Sequence, residues 1–166
     1  MNAYIVPDEF HSRYSAIQRE YLYLIYNNKH RSPLMINRAM WINHEIDIKF
    51  LIKTSSYLIG EKDFSSFCKK KSSNCNTVRT INEISIKKIN ELIIFKIKGN
   101  SFLHNMIRII VGTVVEMYKN KTDSSYIKNI IENKDRISSG ITAPPYGLYL
   151  NKIVYNPSLS TMESAY

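Results

Sequence analysis

Between Gly99 and Tyr118 the chain reads GNSFLHNMIRIIVGTVVEMY. Leu103, Met106, Ile107, Ile110, Val111, Val114 and Val115 fall at helical spacing and wrap nearly the whole circumference. A helix apolar on most sides has to be buried, so the remaining chain must supply layers that cover it. The spacing predicts a helix that starts just after Gly99, with Asn100 or Ser101 accepting from its first free N–H groups. One residue conflicts with the pattern. Arg108 puts a permanent positive charge in the middle of the apolar run, and a charge there calls for a carboxylate.

The flanking segments are strand-like. REYLYLIYNN (Arg19 to Asn28) alternates aromatic and aliphatic residues and stops at an Asn pair. Residues 77–99 read as two strands around a turn near Asn90, with Ile84 and Ile86 on one and Phe95 and Ile97 on the other alternating with polar positions. LYLNKIVY (Leu148 to Tyr155) is a last alternating strand. Asp47 is a predicted N-cap for a helix over 48–60, with Gly60 as its C-cap. Asp123 caps a shorter helix that runs to Lys134. RSPLMINRAMWI (31–42) reads as a proline-containing connection that holds the only Trp, 63–68 as a short strand or turn, and 135–147 as an ordered loop. The order strand, helix, strands, long helix, short helix, strand predicts an α+β fold: a mostly antiparallel sheet with helices packed on one face. Residues 1–155 read as one domain and 156–166 as a loose tail.

Charge narrows the partners. The chain has 166 residues, 44% of them hydrophobic, with 23 Lys and Arg against 14 Asp and Glu, a net charge of +9. Such an excess favours a polyanion, RNA or DNA ahead of a membrane surface; compositional drift toward Lys is the plain alternative. Only seven of the basic residues are Arg, and each Arg offers a planar fork that Lys lacks. Lys69, Lys70 and Lys71 form a loop cluster that can add affinity for phosphates or stay simply solvated. Cys68 and Cys75, without a nearby His pair, do not make a zinc site and are expected to be thiols. No apolar run reaches membrane-spanning length, and MNAYIVPDEF lacks the form of a signal peptide. A soluble, cytoplasmic protein is expected.

Several stretches together resemble one family. FHSRYSAIQREYLYLIYN (10–27), LIGEKDFSSF (58–67), VRTI (78–81), GNSFLHNMIRIIVGT (99–113), the Asp135–Arg136 pair and TAPPYGLYL (142–150) look like the second half of the tRNA pseudouridine synthase A family, in order, over residues 5–155. The resemblance implies isomerisation of uridine to pseudouridine at positions 38–40 of the anticodon stem-loop, no metal and no organic cofactor, and a homodimer that holds tRNA. It also implies a nucleophilic Asp in an Arg-Thr-Asp segment of the family's first half. None of the five aspartates here follows Arg-Thr, and Arg79-Thr80 is followed by Ile81. The chain therefore resembles the C-terminal portion, expected to be inactive alone and to need an N-terminal catalytic half as partner.

Residue by residue, Tyr21 corresponds to the family tyrosine that stacks on the target base, and a phenol beside that base can also handle a proton. From the residues alone it reads first as a strand tyrosine with its ring in the core. Arg108 corresponds to the arginine that pairs with the catalytic aspartate. Its alternatives are an Arg that reaches to water or one paired to Glu116 or Glu132. With its carboxylate outside the chain, replacing Arg108 by Met is expected to be neutral or stabilising by on the order of 1 kcal/mol. His104, one helical turn before Arg108, is a candidate phosphate contact, and Gly112, one turn after, a site of close packing. Arg13 and Arg79 match family arginines around the cleft, as phosphate contacts or braces. The rival reading is an RNA-binding or pairing module without chemistry. A third, an unrelated basic domain that binds RNA on its sheet, lacks the aromatic motif of an RRM.

Overall fold

The computed structural model describes residues 5–69 and 76–156. Lys70, Lys71, Cys75 and nearly all of the 156–166 tail lie outside them. The elements are β1 (Ala16–Asn27), β2 (Met40–Ile42), α1 (Ile48–Ser56), β3 (Gly60–Asp63), β4 (Val78–Ile89), β5 (Leu92–Gly99), α2 (Met106–Lys119), α3 (Ile127–Asn133) and β6 (Leu148–Tyr155).

These strands form one sheet in the order β2-β1-β5-β4-β3, and β6 also pairs with β1. Every pairing is antiparallel except β1 with β2. Because β5 lies along one edge of β1, β6 and β2 share the other: β6 pairs residues 16–23 and β2 pairs residues 25–27. The architecture is the α+β class expected from the sequence.

Alternation decides which face is covered. Tyr23 and Ile25 on β1 lie opposite Phe95 and Ile93 on β5, and all four are wholly buried. Each such side chain contributes about 1.5–3 kcal/mol relative to exposure. α2 covers this face, and α1 packs against both α2 and β4. The opposite face carries Leu22, Leu24 and Ile94 half-buried, beside a polar patch in which Lys98 meets Glu83 at 2.7 Å and Glu20 at 3.6 Å. The Lys98–Glu83 pair is open to solvent on its Glu83 side, and solvent-facing pairs stabilise little.

Three expectations need correction. α2 begins at Met106, not after Gly99. Asn100 does not cap it; its Oδ1 accepts from Thr80 N at 3.1 Å and Ser101 N at 2.6 Å, in the turn that leaves β5. The N-cap position is Asn105, in the left-handed region with φ 61°. The chain crosses from the sheet to the helix layer over 100–105, and Phe102 fills that crossing by packing on Tyr21. Second, α1 stops at Ser56, and Gly60, with φ 101°, opens β3 opposite Ile81 rather than capping the helix. Third, the connection 31–42 contains strand β2, too short to show a period. Asp47 does cap α1, accepting from Lys49 N at 2.8 Å, and Asn90 occupies the β4–β5 turn with φ 51°. The segment led by Asp123 is a single 3-10 turn (Ser124–Tyr126) followed by α3.

Candidate active site

Arg108, Gly112 and Glu116 are spaced by four, so they make one stripe along α2. That stripe grips the loop 139–147. Glu116 Oε2 accepts from Ile141 N at 2.8 Å, and Thr113 Oγ1 accepts from Gly140 N at 2.9 Å. The Arg108 carbonyl accepts from Ala143 N at 3.0 Å. Its side chain returns the contact, Nε donating to the Ala143 carbonyl at 2.7 Å. Gly112 is where the loop comes closest: a Cβ there would stand 2.0 Å from the Ile141 carbonyl oxygen. The close packing expected of Gly112 is thus against this loop and not against another helix.

Past Ala143 the loop turns onto the sheet. Tyr23 Oη donates to the Pro144 carbonyl at 2.8 Å. Gly147 lies flat against Tyr23 and Leu24, where a Cβ would come within 2.9 Å of the Leu24 carbonyl oxygen. Burial pushes the Tyr23 phenol well above its ordinary range; Tyr146 adds to the rise and the Arg108 charge opposes it. Tyr23 therefore keeps its proton and remains a donor. Farther back, Arg136 braces the loop internally, through Ser139 Oγ at 2.8 Å and Thr142 Oγ1 at 3.1 Å. The sequence reading gave neither Tyr23 nor Arg136 a part. Their signal was only their position within the YLYLIY strand segment and the Asp-Arg pair, which does not show what they hold.

Arg108 is half-buried, and both its protein acceptors are neutral. Besides Ala143, Nη1 donates to Asn105 Oδ1 at 3.0 Å. Among the described residues neither Glu116 nor Glu132 pairs with it, nor does any other carboxylate. The aspartates are engaged elsewhere: Asp47, Asp63, Asp123 and Asp135 each accept from the backbone N–H two residues on, at 2.8, 3.0, 2.8 and 3.1 Å. They are turn and cap residues.

Tyr21 lies two residues before Tyr23, on the same face of β1 and about 7 Å along it. Its ring is half-buried and meets Phe102 edge-on at 5.5 Å. Phe102 in turn leads through His104 and Asn105 into the helix that carries Arg108. The strand and the crossing segment meet through the Tyr21–Phe102 contact, and the crossing segment meets the helix through the Arg108–Asn105 hydrogen bond. His104 is exposed and precedes the helix, so it does not share Arg108's helical face as the spacing suggested; its carbonyl accepts from Lys69 N at 3.3 Å.

Arg13 and Arg79 sit at the margins. Arg13 is exposed in the turn before β1, 5.6 Å from the Tyr14 ring centre. Arg19 ties that turn down, donating to the Arg13 carbonyl and, at 2.6 Å, to the Asn100 carbonyl. Arg79 lies on β4, two strands from β1, with Nη1 on the carbonyls of Asn76 and Val78. Its segment reaches the crossing through Thr80, which pairs with Asn100, and Ile81, the register partner of Gly99.

The tRNA pseudouridine synthase family model matches residues 55–156, more than half of the chain. The tRNA pseudouridine synthase A of Thermoanaerobacter sp. (strain X514) is 44% identical over 150 residues, 90% of this chain and 62% of that protein. That of Ehrlichia chaffeensis is 45% identical over 150 residues, covering 89% and 60%. That of Acetivibrio thermocellus is 40% identical over 150, covering 90% and 62%. A match that long in a chain of this length necessarily includes Tyr21 and Arg108. The chain spans about 60% of the length of these relatives.

Proposed function

The chain belongs to the tRNA pseudouridine synthase family, and from that premise we propose that it forms the base-holding and charge-positioning wall of a uridine-to-pseudouridine isomerase acting on tRNA. The proposed target is the anticodon stem-loop at positions 38–40, and the working form a cytoplasmic homodimer that cradles one tRNA across both copies.

The observation that carries this reading is Arg108. Its guanidinium is fixed from below by Ala143 and Asn105, and Nη2 has no hydrogen bond among the described residues. A clamped fork with one free edge suits a carboxylate arriving from outside these elements. Pairing with it would keep that carboxylate ionised and aimed, as a nucleophile requires. Tyr21 offers a flat surface for an extruded base. The chemistry is an isomerisation: the bond from the base nitrogen N1 to ribose C1′ breaks, a bond from base carbon 5 to C1′ forms, the carbon-5 proton is released to solvent, and N1 takes up a proton in its place. Arg13, Arg79 and His104 are proposed as contacts to the RNA backbone around this centre.

Tritium release from tRNA labelled at carbon 5 of uridine tests the proposal. The chain alone is expected to give background counts, because no aspartate follows Arg-Thr and four of the five are engaged in turns and caps. Joined to the uncovered part of the Thermoanaerobacter relative, it is expected to turn over. Turnover by the chain alone, or none by a folded joined protein, contradicts the reading. The engaged aspartates also favour the second reading, an RNA-binding or dimerising module without chemistry, under which the joined protein binds tRNA and never releases tritium.

A further inference from the structure

From Tyr21 to His44 the sequence contains no Asp or Glu, while Lys29, Arg31 and Arg38 fall within it. This acid-free stretch builds most of β1, the turn after it and β2. Tyr26 and Trp41 are register partners in the parallel β1–β2 pair, so they share a face. By alternation that is the face opposite Tyr21 and Tyr23. A cavity of about 170 Å³ opens there, with Tyr26, Arg31, Met35, Trp41 and Tyr146 among its walls.

Its geometry is set. Trp41 Nε1 donates to the Asn28 carbonyl at 2.9 Å, which fixes the indole. The Arg31 guanidinium carbon stands 4.5 Å from the indole ring centre. The turn between β1 and β2 is tied to β6 by Tyr149 Oη, which donates to the Arg38 carbonyl at 2.8 Å. Arg31 and Tyr146 remain exposed at the rim.

We propose that this pocket binds one unpaired base of an RNA strand, as a second site at the β1–β2 edge, walled on one side by Tyr146, next to the Gly147 that lies against Tyr23. Aromatic rings and a guanidinium plane are the surfaces on which bases stack, with little regard to sequence. Arg31, Arg38 and Lys29 can meet the flanking phosphates, and no acidic residue of the stretch repels them. The proposal shares with the proposed function the premise that RNA is the polyanion; it does not depend on isomerase activity.

Trp41 is the only tryptophan of the chain, so its emission reports on this pocket alone. The experiment titrates the chain with short single-stranded oligouridylate and oligoadenylate, and with an abasic ribose-phosphate strand of equal length. Bases are expected to quench Trp41, the abasic strand to bind more weakly and leave emission unchanged. Arg31→Gln and Tyr146→Ala, both at the exposed rim, are expected to weaken oligonucleotide binding on the order of tenfold with unfolding temperatures unchanged. Equal binding of the abasic strand without quenching would overturn the proposal. Anisotropy of labelled tRNA separates the two readings. Binding of tRNA without quenching, at equal strength in both variants, overturns the pocket and leaves the tRNA reading standing. No binding of any RNA overturns both.

Discussion

Arg108→Met removes the charge and keeps most of the apolar stem. With its carboxylate expected outside the chain, the charge looked unpaired or imperfectly paired and its removal harmless. The structure supplies two neutral acceptors, and Ala143, whose carbonyl receives Nε, is wholly buried. Relief from partial charge burial is set against an orphaned carbonyl, and hydrogen bonds to charged groups are the stronger kind. The expected result is a loss of about 1–2 kcal/mol in thermal or urea unfolding of this chain. Gly112→Ala acts one turn away by sterics. Its Cβ would meet the Ile141 carbonyl oxygen, so the loop must shift, at about 1–3 kcal/mol. A variant as stable as the parent would show that the loop does not rest on α2 as described. That Gly112 had to be small was legible in the sequence. What it was small for was not, because the loop 139–147 docks by backbone contacts, which leave no side-chain pattern to read.

At the scale of elements, strands with a buried face were readable because alternation survives in them; β4, β5 and β6 are in place. β2 was not, since three residues carry no period and Pro33 nearby argues for a loop. The start of α2 was misplaced for a related reason. Leu103 is buried and falls at helical spacing with Ile107 and Ile110, yet it packs from the crossing segment. Apolar spacing alone does not separate a helix from an approach to it. Asp63, at the end of β3, has an electrostatic consequence. Burial pushes its carboxyl up, but hydrogen bonds from Thr77 and Ser65 and the nearby Lys134 outweigh that and hold it below the usual carboxylate range. A depressed folded value means its contribution is fully present above the unfolded value, about 3.9, and is lost as pH falls through the lower folded one. Asp63→Asn is expected to flatten the acid limb of the stability curve below about pH 4. An unchanged acid limb would place the carboxylate outside this network.

For the molecule as a whole, a net charge of +9 predicts tRNA binding that weakens steeply with salt, roughly a hundredfold or more between low and physiological ionic strength, since each phosphate contact releases counterions. A flat response would argue against a phosphate-lined cleft. Totals and motif order carried the family reading as far as a sequence can. The convergence of β1, the crossing segment and α2 needed coordinates, because its members lie far apart in the chain and meet only through the fold. The central claim is that Arg108 waits for a carboxylate supplied from outside the described elements. Its most direct test is tritium release by the joined protein carrying Arg108→Met, beside the parent, at a temperature where both are folded. The account predicts turnover reduced by a factor of about a hundred or more, as expected for losing the group that keeps a nucleophile ionised and aimed. Turnover equal to the parent would contradict it.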